Sequence, residues 1–220
     1  MMVDFAVSRT RMVDNQLRTN DITDLQVLGA MGKVPRERFV ADDKIALAYI
    51  DENQLVSQEP QRFLLRPHIF GRMVQLCDIQ PQDVVLVVGA ATGYCVAVIS
   101  QLAESVVGLE LDPALVAKAG DTLVSLGIDN AAVVEGNLAQ GYAADAPYEV
   151  IFINGSIENL PQALTDQLKE GGRLVCVEGR GNSGIAKIYR KTQGVLSSDF
   201  AFNASAPLLP GFEAEKTFRF

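Results

Sequence analysis

A short glycine-containing stretch near the middle of the chain, GAATG at 89–93, follows an apolar run at 84–88. Gly89 can adopt backbone angles that other residues avoid, and it lets a ligand approach the main chain closely. A helix that begins near Gly93 presents unpaired N–H groups to a negatively charged group. The spacing therefore predicts a strand-to-helix turn that binds the ligand of an open α/β sheet.

The spacing of the glycines distinguishes three classes of ligand. A dinucleotide turn needs glycines at the first, third and sixth positions, and here Ala91 and Tyr94 stand at the last two. A phosphate-binding loop needs a lysine after its last glycine, but Tyr94 follows Gly93. The better match is the turn of S-adenosylmethionine methyltransferases, although Val87 replaces its acidic residue and Ala91 its central glycine. The candidate cofactor-binding residues of the turn are Gly89, Ala90, Ala91 and Gly93.

A second candidate group lies at the end of the next predicted strand, where Glu110 and Leu111 begin the segment ELDPAL. An acidic side chain about 20 residues beyond such a turn can accept hydrogen bonds from both ribose hydroxyls. Asp112 is positioned to cap the helix that begins at Pro113. Glu110 is therefore expected to be free to bind a ribose.

The third predicted strand ends in Glu135 and is followed by Gly136, Asn137 and Leu138. In nucleoside-binding enzymes of this class, an Asp or Asn at this place can hydrogen-bond the adenine amino group. Asn137 and Leu138 are therefore candidates for the cofactor site. An ordinary turn asparagine is the alternative, and the sequence leaves both open.

The part of the chain from Asp83 onward predicts the fold class. Short apolar strands alternate with helical patterns, which is typical of a parallel sheet buried on both faces. Helices are predicted at 93–103, 113–126 and 160–169, and strands at 84–88, 106–110, 131–135, 148–153, 172–177, 185–191 and 197–203, with a flexible link at 179–184. The pattern predicts an α/β fold, a doubly wound seven-stranded Rossmann-like sheet.

The first third of the chain is predicted to be mainly helical. An irregular stretch covers 42–61, and the predicted helices lie at 9–18, 24–31 and 66–77. Pro67 stands in the first turn of the third helix, where its missing N–H costs nothing. We expect an N-terminal helical segment, residues 1–80, packed on the same domain as a methyltransferase core at 81–220.

The composition excludes several classes of partner. The 220 residues are 48% hydrophobic and carry a net charge of −8, which argues against binding nucleic acid or an anionic membrane. The acidic, polar N-terminus does not resemble a signal peptide, and no apolar run approaches roughly 18 residues. These features predict a soluble cytoplasmic protein. The separated cysteines match neither a disulfide framework nor a metal site; they are Cys77, Cys95 and Cys176.

Six segments, taken in order along nearly the whole chain, resemble the protein-L-isoaspartate O-methyltransferases. They are the helical segment 12–40, AYID at 48–51, the turn at 89–94, ELDPAL at 110–115, YEVIFINGS at 148–156 and LPQALTDQLKEGGRLV at 160–175. The resemblance implies S-adenosylmethionine as cofactor and isoaspartyl-containing peptides or proteins as substrate. That family methylates the isoaspartyl carboxylate, and the ester then collapses to a succinimide that reopens partly as aspartate. Because a carboxylate is already ionised at pH 7, positioning the reactants is the main requirement.

The acceptor side departs from the family pattern. The family has Thr-Ile-Ser before a Pro-His pair, and its serine touches both cofactor and acceptor, whereas Leu65 stands at that place here. The resemblance implies that His68 contacts the cofactor region, and a satisfied core histidine is the alternative. Ser57, in the preceding loop, is expected to hold the acceptor carboxylate instead. Arg62 and Arg66 are candidates to pair with that carboxylate bidentately, although a solvated helix start is the favoured interpretation of these arginines.

Three functions remain open from the sequence alone. The first is a carboxyl O-methyltransferase of the isoaspartyl-repair type. The second is an S-adenosylmethionine methyltransferase with a less polar acceptor, suited to a site lined by leucine. The third is a catalytically inactive relative that acts as a binding protein, because the departures from the family cluster on the site.

Overall fold

A seven-stranded sheet with helices on both faces forms the centre of the computed structural model, which describes residues 4–214. The helices are α1 Phe5–Met12, α2 Leu25–Lys33, α3 Pro67–Cys77, α4 Tyr94–Ile99, α5 Pro113–Ser125 and α6 Gln162–Asp166. The strands are β1 Gln54–Gln58, β2 Gln61–Leu64, β3 Val84–Val88, β4 Ser105–Glu110, β5 Ala131–Glu135, β6 Tyr148–Ile157, β7 Leu168–Glu178, β8 Ile185–Thr192 and β9 Val195–Asn203.

The strand order in the large sheet is β5-β4-β3-β6-β7-β8-β9. Strands β3 to β7 are parallel, and β8 and β9 add to the edge in antiparallel orientation. Strand β3 pairs with β4 on one side and with β6 on the other, so the strand order reverses at β3. The predicted doubly wound, seven-stranded sheet is confirmed, and this reversal is where such sheets bind ligands.

The sheet is buried on both faces, and its central strand β3 carries an apolar side chain at every position. Val85 and Val87 pack into one cluster together with Met12, Leu28 and Phe70 of the N-terminal third. Alternate residues of β3 point to a second cluster on the opposite face. The N-terminal segment thus shares a core with the sheet, while its division from the rest at residue 80 stays a prediction.

The predicted irregular stretch at 42–61 is wrong in its second half. Strands β1 and β2 form a separate antiparallel hairpin, and a 3₁₀ segment covers Asp42–Leu47. The strands are five and four residues long and mostly polar, so their sequence carries little periodic signal. The hairpin forms because the two strands pair with each other, and the local sequence pattern does not reveal that pairing.

Two predicted helices of the core are shorter than expected. The helix at 160–169 covers only Gln162–Asp166, because β7 already begins at Leu168 beside β6. The backbone N–H of Tyr148 donates to the Gln167 carbonyl at 2.9 Å, which draws this segment into the sheet. The helix at 93–103 ends at Ile99.

The other predicted elements agree with the structure within a few residues. The helix at 9–18 begins earlier, as α1, and continues through a π-helical turn over Val13–Leu17. The link at 179–184 contains a short 3₁₀ turn. Within residues 4–214, no helix has the length and apolar character needed to cross a bilayer. Over the same residues, His, Cys, Asp and Glu form no cluster suited to a metal ion.

Candidate functional site

The glycine turn connects β3 to α4 at the strand-order reversal. Gly89 and Gly93 have φ values of 84° and 92°, in the left-handed region that favours glycine. Ala91 lies in the same region with φ 50°, where its Cβ makes the conformation unfavourable. The alanine that replaces the family's central glycine thus keeps the backbone path of the turn at an energetic cost.

Hydrogen bonds fix the turn to the strands on both sides. The N–H groups of Gly89 and Ala90 donate to the Leu109 carbonyl at 2.8 and 3.0 Å. The buried amide of Asn154, on β6, donates to the Gly89 carbonyl at 2.9 Å. The Thr92 hydroxyl donates to a carbonyl of the N-terminal segment at 2.5 Å. The turn is therefore held in one conformation by three separate parts of the chain.

Glu110 is fully buried at the end of β4 and faces this turn. Its carboxylate accepts hydrogen bonds from the N–H groups of Ala91 at 2.6 Å and Leu111 at 2.9 Å. Asp112 caps α5 as predicted, with Oδ1 accepting from the Ala114 N–H at 2.9 Å. The expectation that Glu110 remains free is nevertheless wrong, because Arg62 binds the same carboxylate.

Arg62 projects from β2 and forms a buried bidentate ion pair with Glu110. Its Nε lies 3.0 Å from Oε1, and its Nη2 lies 2.8 Å from Oε2. The two side chains are 3% and 0% exposed. The solvated interpretation of Arg62 is therefore wrong. The carboxylate that Arg62 contacts in this structure is that of Glu110 in the same chain, and not that of an acceptor.

Residues 204–214, called here the C-terminal segment, cover the other side of the turn. Leu209 is buried, and its backbone N–H donates to the Ser156 carbonyl at 2.9 Å. A side chain added at Gly89 would lie 2.8 Å from the Arg62 Nη2 and 3.0 Å from Leu209 Cδ2. Arg62 and Leu209 thus occupy the space directly over Gly89. Leu209 gives no sequence signal of this role, because it lies far along the chain in an unpatterned segment.

A small cavity remains beside the turn, with a volume of about 10 Å³. Ala90, Ala91 and Asn154 line it together with Leu64 and Leu65 from the end of the hairpin. Its volume suits about one water molecule. Leu65 thus fills the site from the acceptor side, at the place where the family has a serine.

Asn137 and Leu138 follow β5 and have different environments. Asn137 is exposed, and its Oδ1 accepts from the Ala139 N–H at 2.9 Å, which starts a 3₁₀ turn. Leu138 is buried in the core on the second face of the sheet. The turn function of Asn137 is thus observed, while its contact with adenine stays a prediction.

The residues predicted for the acceptor side are divided between two places. Ser57, on β1, donates weakly to Asp112 Oδ2 at 3.4 Å and pairs across the hairpin with Arg62. Arg66 and His68 instead line an open cleft of about 230 Å³ at the start of α3. Ser57 therefore lies beside the glycine turn, and Arg66 and His68 lie in the cleft.

Arg66 and His68 each contact a carboxylate next to the cleft. Arg66 Nη2 lies 3.2 Å from Glu52 Oε2, and the buried Arg66 Nε has no partner among the described residues. The His68 ring and backbone N–H both hydrogen-bond to Asp51. Burial acts to raise the pKa of Asp51, but these hydrogen bonds outweigh it and hold the pKa below its ordinary value. Asp51 is therefore positioned to orient the His68 ring.

The fold and the turn define a class of protein. A parallel sheet of this order, with a glycine turn at the reversal and an acidic residue ending the adjacent strand, is the Rossmann-like methyltransferase architecture. The family model described as Protein-L-isoaspartate(D-aspartate) O-methyltransferase matches residues 8–203. This chain belongs to that family.

Individual relatives agree with this assignment. The chain is 39% identical over 185 residues to protein-L-isoaspartate O-methyltransferase 2 of Anaeromyxobacter sp., covering 84% of this chain and 75% of the relative. It is 37% identical over 201 residues to the protein-L-isoaspartate O-methyltransferase of Koribacter versatilis, covering 89% and 87%. A putative Plasmodium falciparum family member, solved with S-adenosyl-L-homocysteine, shares the fold with a TM-score of 0.76 at 22% identity, covering 91% of this chain and 97% of that one.

The residues around the turn can be compared with the family's cofactor, S-adenosylmethionine. Ligand pockets of this kind have volumes of about 300–1,000 Å³, whereas the cavity beside Ala90 and Ala91 holds about 10 Å³. Arg62 and Leu209 occupy the space over Gly89, and Arg62 binds the Glu110 carboxylate. In the arrangement of this structure, Arg62 and Leu209 therefore take up space that a ligand approaching Gly89 would need.

Proposed function

We propose that this chain is an S-adenosylmethionine-dependent carboxyl O-methyltransferase that acts on isoaspartyl residues of damaged proteins in the cytoplasm. The proposal is supported by curated relatives that carry this name and are 37–39% identical over more than four fifths of the chain. The family match begins at residue 8, so it includes the N-terminal helices as well as the sheet.

One geometric observation carries the proposal. The glycine turn lies at the reversal of strand order, and the buried carboxylate of Glu110 faces it from the adjacent strand. Such a crevice at the carboxyl ends of parallel strands is the place where this fold binds a nucleoside. Gly89, Ala90, Ala91 and Gly93 then contribute backbone, and Leu111, Asn137 and Leu138 belong to the adenosine side.

Arg66 is proposed to bind the acceptor carboxylate, and Ser57, which lies apart from Arg66 beside the glycine turn, is proposed to contact the acceptor there. Arg66 borders the open cleft, and its buried Nε has no hydrogen-bond partner among the described residues, so the guanidinium has unused capacity to pair with an anion that enters the cleft. Ser57 supplies a hydroxyl at the other end of the hairpin, in place of the serine replaced by Leu65. His68, oriented by Asp51, is proposed to lie between the cleft and the cofactor.

A second candidate function is a cofactor-free member of the family that acts by binding a partner. The observation in its favour is the filled site, with Arg62, Leu65 and Leu209 taking up the space around the turn. A methyltransferase with another acceptor differs from the first candidate only in its substrate. Both can be distinguished from the isoaspartyl function by experiment.

The test is methyl transfer from S-adenosylmethionine to an isoaspartyl peptide, with the same peptide containing ordinary aspartate as control. We expect base-labile methyl ester on the isoaspartyl peptide alone. Arg66→Ala should raise KM for that peptide by about tenfold or more, the effect of losing a charge-assisted hydrogen bond. Arg180→Ala, which removes an exposed arginine paired with Glu158, is the matched control. Failure of the wild type, Arg62→Ala and Leu209→Ala to methylate either peptide would reject the proposal.

A further inference from the structure

Arg62 and Leu209 meet over the same glycine of the turn although one lies on the β1–β2 hairpin and the other in the C-terminal segment. We propose that these two side chains, called here the Arg62–Leu209 block, close the cofactor site, and that S-adenosylmethionine binds only when the block moves away. The inference rests on the proposed function, since it concerns access to the same site. It differs from that function in that it assigns the closure to named residues.

The first part of the block removes the hydrogen-bonding capacity of Glu110. An ionised carboxylate offers about four lone-pair sites. The N–H groups of Ala91 and Leu111 take two of them, and Arg62 Nε and Nη2 take the others at 3.0 and 2.8 Å. The carboxylate is therefore saturated. Ribose hydroxyls can bind it only in exchange for Arg62.

The second part of the block removes the space over the turn. The N–H of Ser156 donates to the Pro207 carbonyl at 2.8 Å, and the N–H of Leu209 donates back to the Ser156 carbonyl at 2.9 Å. These bonds attach the C-terminal segment to the end of β6 and place Leu209 against Gly89 and Gly155. Both glycines lack the side chain that would exclude Leu209, so the leucine fits where a ligand would approach the backbone.

The hairpin that carries Arg62 has no strand pairing with the large sheet, and its two strands pair only with each other. Such a hairpin is marginally stable by itself and depends on its side-chain contacts. The apparent dissociation constant of a ligand is its intrinsic value divided by the open fraction. A site that is closed in more than about 90% of molecules therefore loses at least about tenfold in affinity.

The test is a calorimetric titration with S-adenosylhomocysteine on the full-length chain. It compares wild type with Arg62→Ala and Leu209→Ala, each of which removes one half of the block. Arg190→Ala, which breaks an exposed pair with Asp199, and Leu25→Ala, at a leucine that is 73% exposed, are the matched controls. We expect both block variants to bind at least about tenfold more tightly than wild type, and both controls to bind as wild type does.

Folding is checked separately, because Arg62→Ala leaves the buried carboxylate of Glu110 without its partner. Removing one partner of a buried pair is strongly destabilising. Leu209→Ala leaves the pair intact, so it carries the test if Arg62→Ala does not fold. Thermal unfolding followed by circular dichroism identifies the folded variants.

The outcomes separate this inference from the proposed function. Equal affinity in wild type and the folded block variants would overturn the block and leave the methyltransferase function standing. Tighter binding in the variants without transfer to the isoaspartyl peptide would support the block and reject that function. Absence of binding in every folded variant would reject both.

Discussion

Glu110 shows at the scale of single residues how a recognisable position can have an unexpected partner. Its place at the end of β4 predicts ribose binding, and its buried carboxylate does face the glycine turn. Arg62 nevertheless satisfies it from a different element. Burying an unpaired charge costs a large free energy. The fully buried carboxylate of Glu110 therefore needs a cationic partner, and Arg62 provides it.

The unfavourable backbone conformation of Ala91 should lower the free energy of unfolding by a measurable amount. It stands at φ 50°, and the left-handed region costs a non-glycine residue about 1–2 kcal/mol. Ala90 is equally buried but does not have a positive φ. We expect Ala91→Gly to be more stable than Ala90→Gly by about 1–2 kcal/mol, measured by urea unfolding. Equal stability of the two variants would show that Ala91 is unstrained.

Asp51 predicts a dependence of stability on pH. Burial alone would raise its pKa, but the hydrogen bonds from His68 hold the pKa below the ordinary value. A carboxyl with a depressed pKa in the folded state stabilises the fold above its unfolded pKa of about 3.9. That contribution is lost as the pH falls through the depressed value.

The experiment compares urea unfolding of wild type and Asp51→Asn across this range. The difference in free energy of unfolding should be largest near neutral pH and should shrink below about pH 3.9. Asp199→Asn, at an exposed surface pair, is the control and should differ little from wild type. A difference for Asp51→Asn that does not change with pH would contradict the assignment.

At the scale of elements, two segments outside the sheet place side chains against the glycine turn. The β1–β2 hairpin places Arg62 against Glu110, and the C-terminal segment pairs with the end of β6 and places Leu209. Gly155 permits the second contact, because a side chain there would lie 2.7 Å from Leu209 Cγ and 3.0 Å from the Pro207 carbonyl. The sheet itself supplies only the turn and Glu110.

Gly155→Ala should therefore loosen the C-terminal segment. We expect the amide hydrogens of Leu209 and Glu158, both bonded to carbonyls of this contact, to exchange at least about tenfold faster, since about 1.4 kcal/mol corresponds to a factor of ten. Gly120→Ala is the control, because nothing lies within 4 Å of a side chain at that position in α5. Unchanged exchange in Gly155→Ala would show that the segment is held by other contacts.

At the scale of the whole molecule, one apolar cluster joins the N-terminal helices to the sheet. The three cysteines lie in separate parts of the fold, and all are buried and form no disulfide. Burial raises the pKa of Cys77 and Cys95 to about 12 and also raises the pKa of Cys176. Their thiolates are therefore scarce at neutral pH, and the thiols are inert while the chain is folded.

This arrangement predicts that the chain unfolds as a unit. With a thiol reagent at pH 8, we expect no reaction of the folded protein on the time scale of minutes and reaction of all three thiols in denaturant. The rate should rise with urea in parallel with global unfolding measured by circular dichroism. A thiol that reacts at a rate independent of urea would indicate local opening, and separate transitions would favour two independent domains divided near residue 80.

Most of the parallel sheet could be predicted from the sequence, because each strand is a short apolar run bounded by helix and turn signals. Strand β3 and strand β5 agree with the predicted bounds, and α5 differs by one residue. The hairpin could not be predicted, because strands of four and five mostly polar residues lack a periodic pattern. The short α6 likewise results from strand pairing.

The sequence by itself determined the fold class, the glycine turn, the position of Glu110 and the family resemblance, because these depend on local patterns and their order. Only the tertiary structure decided what faces that turn. The Arg62–Glu110 pair joins residues 48 positions apart, and Leu209 reaches Gly89 through pairing of the C-terminal segment with β6. Such contacts depend on how separate elements meet in space, so no local pattern encodes whether the site is open or closed.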